Sequence, residues 1–143
     1  MRVLLAGIAL AIATVGAAPA GAVAPPAQTC STASTLRASG QEFRAPATRG
    51  EVWALPLNDV PPVVGQRVKI VWRVTGRGPL RVVFRDPTGA RRPLEFGPER
   101  HGASSFRRPG GEWGTGFAFD APGCWTIQVR RTGTSATVGL RVA

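Results

Sequence analysis

Apolar and polar residues alternate along several short segments of this chain. The clearest alternation runs through residues 66–75, where every second residue from Val68 to Val74 is apolar and the opposite face is mostly cationic. A period of two is typical of a β-strand that is buried on one face only. The same period occurs in six further segments, which are residues 51–57, 80–85, 92–96, 113–119, 125–129 and 136–142. Residues 23–143 show no convincing helical period, so the pattern predicts about seven short strands.

Turn signals separate these segments. Residues 58–62 (NDVPP), 86–89 (DPTG) and 120–123 (DAPG) combine Asp or Asn with Pro or Gly, which tight turns favour. Pro93 predicts that the 92–96 segment is an edge strand, because proline has no amide donor. Short strands at near-regular spacing predict an all-β protein, an antiparallel immunoglobulin-like β-sandwich. A small barrel or a jelly roll is the alternative, since spacing does not reveal strand order.

The N-terminal residues have the pattern of a secretory signal peptide. Arg2 precedes an uncharged apolar run over residues 3–16, and small residues follow at Ala18, Ala20 and Ala22. The run is shorter than the roughly 20 residues of a membrane-spanning helix. We therefore predict a cleaved signal peptide over residues 1–22, an extended N-terminal arm over residues 23–48 and a β-sandwich domain over residues 49–143.

Cys30 and Cys124 are the only two cysteines. Neither lies at the end of the apolar run, where lipid attachment needs one, so we expect a released, monomeric product without a transmembrane span. Exported chains meet an oxidising environment, so the pair predicts one intramolecular disulfide, with free thiols or an intermolecular bridge as alternatives. Two distant cysteines and one histidine lack the ligand spacing of a metal site. We predict neither a metal nor a cofactor.

The chain is strongly basic, with 18 Lys and Arg against 8 Asp and Glu and a formal net charge of +10. Such a surface attracts polyanions, and the extracellular candidates are anionic wall polymers, acidic lipid headgroups and acidic polysaccharides. Export disfavours nucleic acid as a partner. The alternative is that the charge only keeps the domain soluble.

Residues 97–125 (GPERHGASSFRRPGGEWGTGFAFDAPGCW) contain the only histidine and two of the four tryptophans. Their first part is too rich in Gly, Pro and Arg to predict a strand, so we expect a surface loop held by the sheet. An indole can stack on a sugar ring or a cation while guanidinium groups hold an anion. The candidate ligand-binding residues are Glu99, His101, Arg107, Arg108, Glu112 and Trp113.

The tryptophans also have a purely structural interpretation. Trp113 and Trp125 would then belong to the core, with Arg107 paired to Glu112 across a tight turn. Trp53 and Trp72 lie in phase with aliphatic residues, and we predict both as core residues.

Three catalytic or metal-binding arrangements can be drawn from the same loop. Glu99, His101 and Ser104 have the residue types of a hydrolase triad, but they lie on one loop without a G-x-S-x-G turn. Glu99 with Glu112, or Glu112 with Asp120, supplies the two carboxylates of a glycosidase. His101 with Glu99 and Glu112 is a metal ligand set with nothing distinctive about it. None of these has its usual setting, so we expect a protein that is not an enzyme.

From Leu55 to Trp125 the chain resembles a family of small exported bacterial domains of unknown function. The segments that carry the resemblance are G-P-E-x-H, R-P-G-x-E-W-G-T-G-F and P-G-C-W. Residues 120–129 (DAPGCWTIQV) also resemble the turn and strand entry of many bacterial immunoglobulin-like domains. The resemblance implies export and a β-sandwich, and it implies no activity. The chain departs from the lipoproteins of that family because it lacks a lipid-attachment cysteine, and from antibody domains because Cys30 lies in the arm.

We therefore expect a secreted, non-enzymatic binding or structural domain that associates with anionic cell-envelope material through the 97–116 loop. Its partner would be an anionic cell-wall polymer or an envelope protein. The alternatives are a small secreted hydrolase and a protein-binding inhibitor or adaptor.

Overall fold

Ten β-strands account for the regular structure in the computed structural model, which describes residue 30 and residues 35–36, 39–102 and 107–143. In chain order they are β1 (Phe43–Ala45), β2 (Ala47–Arg49), β3 (Val52–Pro56), β4 (Arg67–Val74), β5 (Arg77–Arg85), β6 (Arg91–Arg92), β7 (Phe96–His101), β8 (Gly111–Ala118), β9 (Gly123–Thr132) and β10 (Thr134–Val142). Seven of them have five residues or more. The predicted signal peptide lies outside the described residues.

The strands form two antiparallel five-stranded sheets. The first sheet has the order β1-β3-β4-β8-β7 and the second has the order β2-β10-β9-β5-β6. The inward side chains of both sheets form one buried cluster. The predicted all-β antiparallel sandwich is confirmed, and its immunoglobulin-like type stays a prediction.

An aromatic cluster joins the two sheets at the centre of the core. Phe84 of the second sheet stacks on Phe117 of the first, with ring centres 4.3 Å apart and planes 9° apart. Phe119 and Trp125 meet Phe117 edge-on at 4.9 and 5.2 Å. Aromatic pairs of this kind add to the stabilisation that comes from burying their area. The core therefore ties β5 and β9 to β8.

The core also contains a buried polar contact. Trp72 Nε1 donates a hydrogen bond to Thr115 Oγ1 at 2.8 Å, between the neighbouring strands β4 and β8. A buried indole N–H needs such an acceptor, because leaving it unpaired costs about 1–3 kcal/mol. Trp72, Trp113 and Trp125 are all buried in this core.

Trp53 is different, and the prediction that it is a core residue is wrong. In β3 the side chains of Val52 and Ala54 face the core and are fully buried, so Trp53 lies on the outer face of the first sheet. Both faces of this strand are apolar, because Leu55 shares the outer face with Trp53. Alternation alone could not tell which face was turned inward.

The prediction of a loop over residues 97–101 is also wrong. These residues belong to β7, which pairs with β8 as the edge strand of the first sheet. The two glycines on the outer face of β8 accept the side chains of β7, since Gly116 lies under the ring of Phe96 and Gly114 under the imidazole of His101. The predicted strand over residues 92–96 is not formed as one strand, because Arg92 ends β6 and Phe96 begins β7.

The described part of the predicted arm is built into the sheets. β1 and β2 each add a short edge strand, and the amide of Leu36 donates to Gly139 O of β10 at 3.0 Å. Leu36 is only 2% exposed and belongs to the core cluster. The predicted disulfide between Cys30 and Cys124 is present, and it fastens the arm to the start of β9.

The turn between β5 and β6 is organised by a single buried carboxylate, Asp86. Its Oδ1 accepts hydrogen bonds from the hydroxyl and amide of Thr88 and from the amide of Ala90, at 2.6, 2.9 and 3.0 Å. Its Oδ2 accepts from Arg92 Nε at 2.9 Å. The Thr88 hydroxyl bond, aided by these further donors and opposed by burial, holds the pKa of Asp86 below its ordinary value of 3.8.

This carboxylate makes the stability of the domain sensitive to acid. Because the pKa of Asp86 is lowered by folding, its contribution is complete above about pH 3.8 and is lost as the pH falls through the folded pKa. We expect Asp86→Asn to lower the urea midpoint at pH 7 and to flatten its fall between about pH 4 and pH 2. Urea titrations across that range measure both effects. An Asp59→Asn variant, at an exposed loop position, should keep the wild-type slope, and an unchanged slope in Asp86→Asn would contradict the assignment.

Candidate functional site

His101 and Glu112 are the first pair of predicted site residues that the fold brings together. They lie opposite each other in the β7–β8 register, with side chains on the outer face of the first sheet. His101 Nδ1 is 3.9 Å from Glu112 Oε1, which is longer than a hydrogen bond. The side chain of His101 is one-third exposed, whereas the side chain of Glu112 is largely buried.

Glu112 is held more closely by Arg73 of β4, which the sequence did not mark. Arg73 Nε donates to Glu112 Oε2 at 3.3 Å, and its Nη1 donates to the carbonyl oxygens of Arg108 and Gly110 at 3.0 and 2.9 Å. One guanidinium therefore holds both the carboxylate and the chain that leads into β8. Arg73 lies opposite Glu112 because of the β4–β8 register, and this register cannot be read from the sequence alone.

Arg108 packs on Trp53, which is also on the outer face of the first sheet. The guanidinium carbon of Arg108 lies 3.8 Å from the Trp53 ring centre, and its Nε donates to Glu42 Oε2 at 2.7 Å. Arg44 lies near the same ring at 5.7 Å and pairs with Glu51 at 3.1 Å. The tryptophan that accompanies the loop arginine is therefore Trp53, and Trp113 has no part in this contact.

Trp113 lies on the opposite face of β8 from Glu112. It is 5% exposed in the core, and the guanidinium carbon of Arg131 lies 4.4 Å from its ring centre. Burial, and secondarily the positive charge of Arg100, lowers the pKa of Arg131 from its ordinary value. Because successive side chains of a strand point to opposite faces, Trp113 is not brought together with His101 and Arg108.

The remaining candidates are not gathered into one site. Glu99 is exposed and lies opposite Gly114 in the β7–β8 register, and Arg107 is exposed in the segment that leads into β8. Ser104 of the hydrolase hypothesis lies outside the described residues. Glu112 lies near the start of β8 and Asp120 lies two residues beyond its end. The strand from Glu112 to Ala118 alone spans about 20 Å at roughly 3.3 Å per residue, which is too far for the two carboxylates to flank one glycosidic bond. Among the described residues, no three His, Cys, Asp or Glu side chains are grouped to hold a metal ion.

Charges on the outer face of the first sheet are largely paired. Four arginines there or beside it each meet a carboxylate at 2.7 to 3.3 Å. These pairs are Arg44–Glu51, Arg67–Glu95, Arg73–Glu112 and Arg108–Glu42. The predicted loop surface therefore offers fewer available cations than its sequence indicates.

The outer face of the second sheet has the opposite character. No strand of this sheet contains Asp or Glu, and the strand pairing places six arginines on its outer face. Five follow from the alternation of their strands, and Arg49 pairs with the outward Ser135 through a register shift between Ser135 and Ala136. We call this surface the arginine face, and its arginines are Arg49, Arg81, Arg85, Arg91, Arg130 and Arg141. Within the part of the chain that the structure describes, none of the six forms an ion pair with a carboxylate.

The strand register concentrates these cations. Arg81 of β5 lies directly opposite Arg130 of β9, Arg130 lies opposite Ser135 of β10, and Ser135 lies opposite Arg49 of β2. This row crosses four adjacent strands, which are about 4.8 Å apart. Like charges directly opposite each other destabilise a sheet. The packing of the domain therefore does not account for this arrangement.

Comparison with known proteins finds no relative of this chain. No family model, no curated protein and no solved structure matches the chain. Among the described residues there is also no helix with the length and apolar character that crossing a membrane requires. The function has to be inferred from the chemistry of the two outer faces.

Proposed function

We propose that this protein is an exported, non-enzymatic domain that binds anionic cell-envelope material through the arginine face. The observation that carries the proposal is the set of six outward arginines on a sheet whose strands contain no carboxylate. A dense group of unpaired cations attracts a polyanion over a distance and raises its local concentration. Guanidinium groups also hold phosphate and carboxylate oxygens through two parallel hydrogen bonds.

The energetic balance of the Arg81–Arg130 pair supports this role. Two cations side by side repel in the free protein, and a bound polyanion offsets that repulsion because it attracts both of them. The ligand is thus favoured by interactions that the free domain does not have. Arg108 of the predicted loop and Arg73 of the neighbouring strand β4 already have carboxylate partners, so a ligand there would have to displace them. For this reason the proposal places the binding surface on the second sheet and not on the 97–116 loop.

Paired charge-neutralising variants test the proposal. We expect Arg81→Gln with Arg130→Gln to weaken binding to purified cell walls by about tenfold or more, because two adjacent phosphate or carboxylate contacts are lost. The matched control is Arg44→Gln with Arg67→Gln, which removes the same charge from arginines that are ion-paired on the first sheet. This control should bind within about twofold of wild type, since its arginines are already neutralised.

Binding is measured by cosedimentation with walls across a series of salt concentrations. Wild type should bind less as salt rises, because screening weakens contacts between exposed charges. The slope of log affinity against log salt should be shallower for the Arg81 and Arg130 variant than for the control. Salt-independent binding, or equal losses in the two double variants, would refute the arginine face as the binding surface.

A further inference from the structure

The arginine face has no aromatic side chain available to a ligand. Phe84 and Trp125 are the aromatic residues in the strands of the second sheet, and both are fully buried in the core. Proteins that bind sugar rings or unpaired bases usually supply aromatic rings for stacking, and each stacked base contributes about 1–3 kcal/mol. A ligand on this face is therefore contacted through its charges and not through its rings.

The cations are also spaced unevenly in the two directions of the sheet. Across the strands, Arg81, Arg130 and Arg49 lie in one row at steps of about 5 or 10 Å, with the hydroxyl of Ser135 between the last two. Along β5, the next outward arginine is Arg85, four residues and about 13 Å from Arg81. The uncharged residues Val83 and Gln128 lie in between. The third arginine of β5 is Arg77, four residues before Arg81, so the arginines along β5 are widely spaced. A linear polyanion therefore meets more closely spaced cations when it lies across the strands than when it lies along them.

We infer that the ligand of the arginine face is a linear phosphodiester polymer without nucleobases, which lies across the strands along the row from Arg81 to Arg49. This inference rests on the proposed function and specifies its ligand. Such a polymer has its charges in the backbone at every repeat, where closely spaced guanidinium groups can reach them. In an acidic polysaccharide the carboxylates project from sugar rings, and this face has no aromatic platform for those rings.

Three soluble probes of equal charge number separate the possible ligands. They are a glycerol phosphate oligomer, an oligogalacturonate and a single-stranded oligonucleotide, each titrated against the folded domain at one salt concentration. We expect the glycerol phosphate oligomer to bind at least about fivefold more tightly than the oligogalacturonate, because tetrahedral phosphodiesters offer oxygens to guanidinium groups on both sides. The oligonucleotide should not bind more tightly than the glycerol phosphate oligomer, since its bases find no stacking partner.

Two single variants test the direction of the polymer. Arg49→Gln removes a cation from the row, whereas Arg141→Gln removes one from the same face outside it, opposite Cys124. We expect Arg49→Gln to lose several-fold more affinity for the glycerol phosphate oligomer than Arg141→Gln, although both variants lose one charge. Circular dichroism of both variants verifies that the sheets are intact.

The outcomes distinguish this inference from the proposed function. Tighter binding of the oligogalacturonate or of the oligonucleotide would overturn the phosphodiester ligand, and equal losses in Arg49→Gln and Arg141→Gln would overturn the row. In each case wall binding that still depends on Arg81 and Arg130 would leave the proposed function standing. Wild-type wall binding by the Arg81 and Arg130 double variant would overturn both.

Discussion

Replacing Cys30 and Cys124 together with serine is expected to lower the free energy of unfolding by about 2–5 kcal/mol. The disulfide joins residues that are 94 positions apart, so it restricts most of the unfolded chain. Closing a loop of about 100 residues contributes roughly 4.7 kcal/mol in the chain-entropy treatment. The bond also keeps the arm close to β10, where Leu36 enters the core.

Urea unfolding of the oxidised wild type, the reduced wild type and the double-serine variant measures this effect. The last two proteins should have the same midpoint, well below that of the oxidised wild type, because each lacks only the cross-link. Thiol labelling of the unreduced protein is the control, and it should modify neither cysteine. A midpoint that does not change on reduction would show that the arm stays in place without the disulfide.

Phe117→Ala is expected to lower the free energy of unfolding by about 3–5 kcal/mol. Its ring contacts Phe84, Phe119 and Trp125 at centre-to-centre distances of 4.3, 4.9 and 5.2 Å. Phe84 and Trp125 belong to the second sheet, so this ring joins the two sheets. Truncation removes these contacts and leaves a cavity between the sheets, which neither sheet can close without moving.

Phe96→Ala is the matched control for this substitution. The two variants lose the same side chain, but Phe96 is half-buried on the outer face of the first sheet, against Gly116. We expect its cost to be less than half that of Phe117→Ala, since part of the ring is already in water. Phe117→Leu keeps the measurement possible if the alanine variant does not fold. Equal losses at positions 96 and 117 in urea unfolding would contradict the central role of the aromatic cluster.

The sequence predicted those strands in which one face is clearly apolar. β4 is the best example, because Val68, Ile70 and Trp72 share one apolar face and the opposite face is mostly cationic, so only one face can be buried. In β3 both faces are apolar, so alternation could not assign Trp53 to the outside. β7 contains Gly97, Pro98 and three charged or titratable residues, and it becomes a strand because the glycines of β8 give its side chains room.

The arginine face lay beyond the reach of sequence analysis for a different reason. The alternation of β5 does turn Arg81 and Arg85 outward, and this much follows from the sequence. Whether they lie beside other arginines depends on which strands are neighbours and on the register of their pairing. The spacing of residues along the chain reveals neither. Only the pairing of β5 with β9 places Arg81 against Arg130. The loop with the single histidine is unusual in composition, but its Arg108 and Glu112 are already ion-paired.

The unequal distribution of charge between the two sheets gives the domain an electric polarity. A domain with paired ions on one side and unpaired arginines on the other experiences a torque near a negatively charged surface, and it turns before contact is made. Every attached copy would then have the same orientation, with the second sheet towards the polymer. The side with Trp53, His101 and the Arg108 contact would face the medium, where it stays open to other molecules.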